Sequence, residues 1–293
     1  HLDRYDNHFD NYIDSKFRII RRMVTNDYFI YWEKDDIIAK EISERKIKPF
    51  KLPVSLNKEV LKGSYISDNN IIVNIGRYFL KFPPFHLPSS ILPLQGKHNT
   101  INTMAAILAA TLAGVDKSTI IRSLKGFKNA PHRLELVGTI NGIKFINDSK
   151  ATNVDAVRYA LDSLVEDDVQ WTLGQHCGRK IVWIAGGVDK GNDYERLTDL
   201  VKKRVKAIVC LGNGNSKIHT AFNGHVKQIA DTKNMEEAVN KAFKIAKKDN
   251  VVLLSPACAS FDLFENYEDR GEQFKKHARN LATKAQRHKE TQR

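Results

Sequence analysis

Residues 134–153 read L-E-L-V-G-T-I-N-G-I-K-F-I-N-D-S-K-A-T-N. Asn141-Gly142 suits a type I′ turn, because both central residues of such a turn take positive φ. The flanking runs 134–140 and 143–146 therefore predict an antiparallel hairpin. A polar turn follows at 147–153, and a helical spacing of apolar residues resumes over 154–164. Downstream the chain alternates. Strands are expected at 181–185, 207–211, 226–230 and 251–254, and helices at 194–204, 215–222, 235–247 and 268–282. Strand–helix alternation predicts an α/β domain, a Rossmann-like, mostly parallel sheet covered by helices.

In such sheets ligands sit beyond the carboxyl ends of the strands. Three of these ends are polar or small: Asn147 to Asn153, Gly186-Gly187-Val188-Asp189-Lys190-Gly191, and Ser255-Pro256-Ala257-Cys258-Ala259-Ser260. The fold would bring them to one rim, where two lysines and several hydroxyls and amides suit an anionic ligand. Each turn also has a plain structural reading. Thr152 or Asn153 is a natural helix cap, Gly186-Gly187 permits a tight turn, and Lys150 and Lys190 are the kind of residue that sits solvated on a surface. Cys258 has no histidine close in sequence to activate it and reads as a small, inert core residue.

Upstream the pattern differs. A helix is expected over 11–23, a strand over 28–32, and short strands and turns over 33–95, with a proline-marked loop at 83–93. A helix over 103–113 has Asn99 or Thr100 as its cap, and another, capped by Asp116, runs to Leu124. A boundary near Asn129-Ala130-Pro131 divides the chain into 1–130, 131–282 and a basic tail, 283–293, expected to fray.

The 293 residues carry 42% apolar and 28% charged side chains, the balance of a globular protein with real cores. No apolar run approaches a membrane span, and three dispersed cysteines, Cys177, Cys210 and Cys258, form no disulfide or metal spacing. A reducing, cytoplasmic setting and a monomeric chain are expected. The net charge of +13 is concentrated partly in the C-terminal stretch, where Lys275, Lys276, Arg279, Lys284, Arg287, Lys289 and Arg293 face Glu290 alone. No aromatic residues interleave with that stretch and no nucleic-acid motif is present, so nucleic acid is disfavoured as the partner. The alternative it leaves is a basic nucleotide- or nucleic-acid-binding module without catalysis.

Gly96-Lys97-His98-Asn99, Pro131-His132-Arg133-Leu134-Glu135, the turn 147–153 and Leu254 to Ser260 occur in this order along the chain. Together they resemble the Mur ligases, and the Lys190 turn with Ser-Pro-Ala-Cys-Ala-Ser resembles the branch that adds D-glutamate. Another Mur or folylpolyglutamate-type ligase is the alternative within the class. The resemblance implies an ATP-dependent ligase of peptidoglycan precursor synthesis, joining D-glutamate to UDP-N-acetylmuramoyl-L-alanine through an acyl phosphate. It implies Mg2+ at His1 and at Lys16, the latter carbamylated, as the catalytic pair. It implies nucleotide contacts from Asn99, Arg133, Asp148 and Lys150, and D-glutamate contacts from Thr152, Lys190, Ser260, Phe261 and Tyr267. Tyr267 stands where the family pattern has Phe.

The phosphate-loop pattern G-x-x-x-x-G-K-[ST] is absent: Gly96-Lys97 is followed by His98. The resemblance thus implies a C-terminal piece of a longer ligase, the back part of the ATPase domain plus the amino-acid-binding domain. Such a piece is expected to be inactive alone, with 131–282 folding independently and 1–130 poorly ordered in isolation.

Overall fold

The computed structural model describes residues 2–6, 8–76, 84–94, 96–166 and 179–291. The chain forms two compact units, His1–Lys128 and Asn129–Arg293.

Among the described residues the first unit is a five-stranded sheet with helices. β1 (Tyr28–Trp32), β2 (Phe50–Ser55) and β3 (Gly63–Ser67) run parallel; β4 (Asn70–Asn74) and β5 (Phe85–Pro88) continue the sheet antiparallel. Val54, Ile71, Val73 and Leu87 pack against Met104, Ile107 and Leu108 of α3 (Lys97–Leu112) to make its core. α4 (Lys117–Lys125) follows, and Asp116 caps it by accepting from the Thr119 N–H at 2.9 Å.

Four expectations fail here. α1 (Phe9–Phe17) passes into a 3-10 turn, Arg18–Ile20, instead of running to residue 23. A helix, α2 (Asp36–Glu44), lies where only strands and turns were expected. Its signal was present: Asp35 accepts from the Ile38 N–H at 2.9 Å and opens an Ile-Ile-Ala-x-x-Ile stripe. The proline-marked stretch contains β5, tolerated because Pro88 ends an edge strand where no N–H is needed. α3 begins at Lys97 with Gly96 at its cap, in the left-handed region at φ 92°, so Asn99 sits in the first turn rather than before it.

The second unit is a three-layer sandwich. Among the described residues its six strands are ordered β10-β9-β8-β11-β7-β6. They are β6 (Glu135–Ile140), β7 (Ile143–Asn147), β8 (Ile181–Ala185), β9 (Val205–Leu211), β10 (Ile229–Thr232) and β11 (Val251–Leu254). All neighbours are parallel except β6 and β7, the hairpin at 134–147, whose turn residues Asn141 and Gly142 take φ of 50° and 78°. Both faces of the sheet are covered, which is why its strands read as unbroken apolar runs. Ile146, Trp183, Ile208 and Leu253 pack on α5 (Val154–Glu166), α6 (Thr198–Arg204) and α7 (Ser216–Phe222). Phe145, Ile184, Val209 and Val252 pack on α8 (Met235–Ile245) and α9 (Tyr267–Thr291). α9 is helical to Thr291. β10 begins three residues later than expected.

Candidate active site

The chain leaves β8 for β9 and β10 on one side, then returns to β11 on the other. The carboxyl ends of β8 and β11 therefore flank a topological switch point, and β7 lies next to β11. The turns that follow these three strands are the three polar turns of the sequence.

They are bonded to one another. The Asp148 N–H donates to the Leu254 carbonyl at 2.7 Å and the Ala257 N–H to the Ala151 carbonyl at 3.0 Å, joining the first turn to the third. The Gly186 N–H donates to the Pro256 carbonyl at 2.9 Å, and Val188 and Ala259 exchange two bonds of 3.0 and 3.3 Å, joining the second to the third. Gly187 has to be glycine, because a Cβ there would lie 2.2 Å from the Ala259 oxygen. Lys150, Lys190 and Ser260 each lie within two residues of these bonds, so the fold gathers them at one rim.

Beneath the rim Arg270 is 1% exposed. Its guanidinium donates to Ser149 Oγ at 2.9 Å, the Ser149 carbonyl at 2.8 Å and the Cys258 carbonyl at 3.1 Å. It is a cationic strut between the first and third turns, and burial pushes its pKa down to about 10. Ser149 Oγ in turn donates to the Tyr267 carbonyl at 2.8 Å. His132, in the left-handed region at φ 63°, meets Asn147 Nδ2 at 2.9 Å. A Cβ at Gly271 would lie 2.1 Å from His132 Nδ1, which accounts for a glycine inside a helix.

Asp148 is buried at 7% exposure. Its Oδ1 accepts from the Leu134 N–H at 3.2 Å and its Oδ2 from Ser255 Oγ at 2.8 Å. Burial pushes its pKa up to about 7, against the lowering effect of these bonds and of the nearby Arg133 charge. Asp189 is raised by burial but more strongly lowered by Lys217, 3.0 Å away, and by the Asn192 and Gly191 N–H groups, so its carboxyl stays below the usual range. Cys258 touches the Tyr194 hydroxyl at 3.1 Å, and burial pushes its thiol up, the behaviour of an inert core cysteine.

Residues 132–258 match the family described as Mur ligase, glutamate ligase domain, and residues 1–110 match the Mur ligase middle domain. The chain belongs to the Mur ligase family. Over 281 residues it is 48% identical to UDP-N-acetylmuramoylalanine--D-glutamate ligase of Christiangramia forsetii, a match covering 96% of this chain and 59% of that protein. The ligase of the same name from Bacteroides thetaiotaomicron is 44% identical over 282 residues, with the same shares covered. The chain thus spans about three-fifths of the length of these Mur ligases. Solved Mur ligase structures share the fold. Murein peptide ligase mpl of Psychrobacter arcticus aligns with a TM-score of 0.62 at 16% identity, over 93% of this chain and 54% of that one. MurF of Thermotoga maritima, in complex with ADP, aligns with a TM-score of 0.60 at 16% identity, over 94% and 59%.

Within this Mur ligase chain the residues singled out from sequence fall as follows. Arg133 and Lys150 are exposed on the second unit's rim, with Lys150 Nζ 5.1 Å above the Tyr267 ring. Thr152 is half-buried and the neighbouring Asn153 caps α5, its Oδ1 accepting from the Ala156 N–H at 2.8 Å. Lys190 is exposed, Ser260 is buried, and Phe261 projects into solvent at 71% exposure. Tyr267 opens α9 and meets the His132 ring edge-on, centroids 6.1 Å apart. Asn99 and Lys16 belong to the first unit; Lys16 is an exposed residue near the end of α1 with Nζ 5.3 Å above the Tyr12 ring. His1 lies outside the described residues. Arg270 was missed: an arginine at a helix start carries no local sign that it will be buried, and only the adjacent helical Gly271 hinted at close packing.

Proposed function

We propose that the chain carries the amino-acid site of a ligase that adds D-glutamate to UDP-N-acetylmuramoyl-L-alanine using ATP. The observation that carries this reading is the convergence of the three turns at the switch point. The names of the relatives at 44% and 48% identity support the choice of substrate.

In this reading the acceptor's carboxylate oxygen attacks the γ-phosphorus of ATP, giving an acyl phosphate and ADP. The D-glutamate amine then attacks the acyl carbon, and the collapse of the tetrahedral intermediate expels phosphate. Catalysis of this kind is positioning plus neutralisation of developing charge. Arg133, with its planar fork of donors, and Lys150 would meet nucleotide phosphates. Asn99 would be a further nucleotide contact. Asp148 would accept from the ribose hydroxyls with the lone pairs its two internal bonds leave over.

Lys190 would pair with a D-glutamate carboxylate. Thr152 and Ser260 would orient the amino acid by their hydroxyls, Phe261 by its backbone, and Tyr267 would close the pocket edge. Mg2+ takes oxygen ligands and supplies charge neutralisation at phosphate. A carbamylated Lys16 fits that preference, since carbamylation turns an amine into an oxygen-bearing anion; its exposed position leaves it open to carbon dioxide. His1 would complete the pair.

Replacing Lys190 with alanine removes the positive charge facing the substrate carboxylate. D-glutamate binding to the chain, measured by calorimetric titration, is expected to weaken by ~10–100-fold, in line with about 1.5–3 kcal/mol for a charge-assisted bond. Equal affinity for D- and L-glutamate, or an unchanged affinity in the variant, would count against the assignment. Comparison with meso-diaminopimelate separates it from the sister ligases.

A further inference from the structure

A second cluster of chemistry lies on the far half of the same sheet edge, at β9, β10 and α7. Asp231 is the register partner of Cys210 across the β9–β10 ladder, so their side chains stand side by side on one face. α7 lies over that face and brings His219 to them. One ligand atom from each residue, Cys210 Sγ, His219 nitrogen and an Asp231 carboxylate oxygen, lies within 4.8 Å of the other two. Among the described residues this is the one group of three or more histidine, cysteine or acidic side chains so arranged.

The three ligands come from three elements, and their supports are fixed. Asn215 Nδ2 donates to Asp231 Oδ1 at 3.0 Å and to the Gly212 carbonyl at 2.9 Å, which orients the carboxylate. Thr232 Oγ1 donates to the Cys210 carbonyl at 2.7 Å, which locks the β9 backbone behind the thiol. A cleft of about 690 Å³ opens beside His219 and Asp231, walled also by Gly212, Asn215, Ser216 and Thr232, with the fully buried Cys210 behind that wall. It gives a route in from solvent and room for a water. None of the residues of the three active-site turns lines it.

We propose that Cys210, His219 and Asp231 form a zinc site, with a water from the cleft in the fourth position. One sulfur, one imidazole nitrogen and one carboxylate oxygen are the donor types zinc takes in tetrahedral coordination, and the set is too soft for magnesium or calcium. On binding, the Cys210 S–H bond breaks, its proton goes to solvent, and a sulfur–zinc bond forms; no electron transfer is involved. His219 Nε2 now stands 3.1 and 3.0 Å from the two Asp231 oxygens. The cation would replace that contact by accepting electron pairs from both partners, tying α7 to β9 and β10.

The test uses the whole 293-residue chain, freed of metal and kept reduced without thiols, titrated with cobalt(II) as an optical probe and then with zinc. One equivalent of cobalt is expected to give a thiolate-to-cobalt charge-transfer band and the intense visible bands of tetrahedral coordination, both abolished by zinc. Cys210→Ser should eliminate the charge-transfer band, whereas Cys177→Ser and Cys258→Ser should retain it. His219→Gln and Asp231→Asn, near-isosteric changes at a half-buried and an exposed residue, should each weaken zinc binding by at least ~10-fold. Absence of the band in the unmodified chain, its survival in Cys210→Ser, or unaltered zinc affinity in both His219→Gln and Asp231→Asn would overturn the proposal and leave His219–Asp231 a simple hydrogen-bonded pair.

Discussion

Replacing Arg270 with methionine is expected to destabilise the second unit by about 3–5 kcal/mol, the range for breaking a buried, hydrogen-bonded charge. Methionine fills much of the volume but makes none of the guanidinium's bonds. The Ser149 and Cys258 carbonyls and the Ser149 hydroxyl lose their donors in a place water does not reach. Each stranded acceptor costs about 1–3 kcal/mol. Arg270→Lys keeps the charge, but a single ammonium cannot span both turns with the fork's geometry, so its loss is smaller, roughly 1–3 kcal/mol. Denaturant unfolding followed by the fluorescence of buried Trp183 reads both variants. Equal stability of Arg270→Met and the unmodified chain would show that the turns hold together without the strut.

The second large effect is pH-dependent and belongs to Asp148. Its carboxyl ordinarily titrates at 3.8 and is pushed up to about 7 in the fold. Between those values the folded chain holds a proton that the unfolded chain has released. Stability therefore falls as pH rises through this window, and is greatest, as far as this group is concerned, below 3.8. At about 1.4 kcal/mol per pH unit the whole window is worth on the order of 4 kcal/mol. Asp148→Asn does not titrate. Its carbonyl can accept from the Leu134 N–H and its amide can donate to Ser255 Oγ, so the internal bonds persist. The variant should gain stability over the unmodified chain on going from pH 5 to pH 8, by roughly 2–3 kcal/mol. A pH-independent difference between the two, from paired unfolding curves, would show that the buried carboxyl is not held neutral.

The parts of the fold legible in the sequence were those in which local chemistry and tertiary packing agree. Asn141-Gly142 has one low-energy use between two apolar runs, and it is used that way. β8 and β11 are buried on both faces, so their apolar runs start and stop where the strands do. β10 is an edge strand with a weaker pattern, and its bounds shifted. α2 has its cap and its apolar stripe, but over only nine residues they compete with the strand-like patterns on both sides. The candidate site was legible as three turns, because a parallel sheet places the ends of its strands on one rim. Its foundation was not. The Arg270 strut, the His132–Gly271 contact and the internal bonds of Asp148 depend on side chains 121, 139 and 107 positions apart in sequence, and no window of sequence reveals them. Asp148 shows the consequence: a carboxylate read as a ligand contact is also a buried brace between β11 and the hairpin.

The most direct test of the account is to map where D-glutamate binds, by backbone-amide chemical-shift perturbation on the isotopically labelled chain. Shifts concentrated in 147–153, 186–191 and 255–261, absent in Lys190→Ala and much weaker with L-glutamate, are the predicted result. Shifts confined to other surfaces, or identical for the two enantiomers, would contradict it.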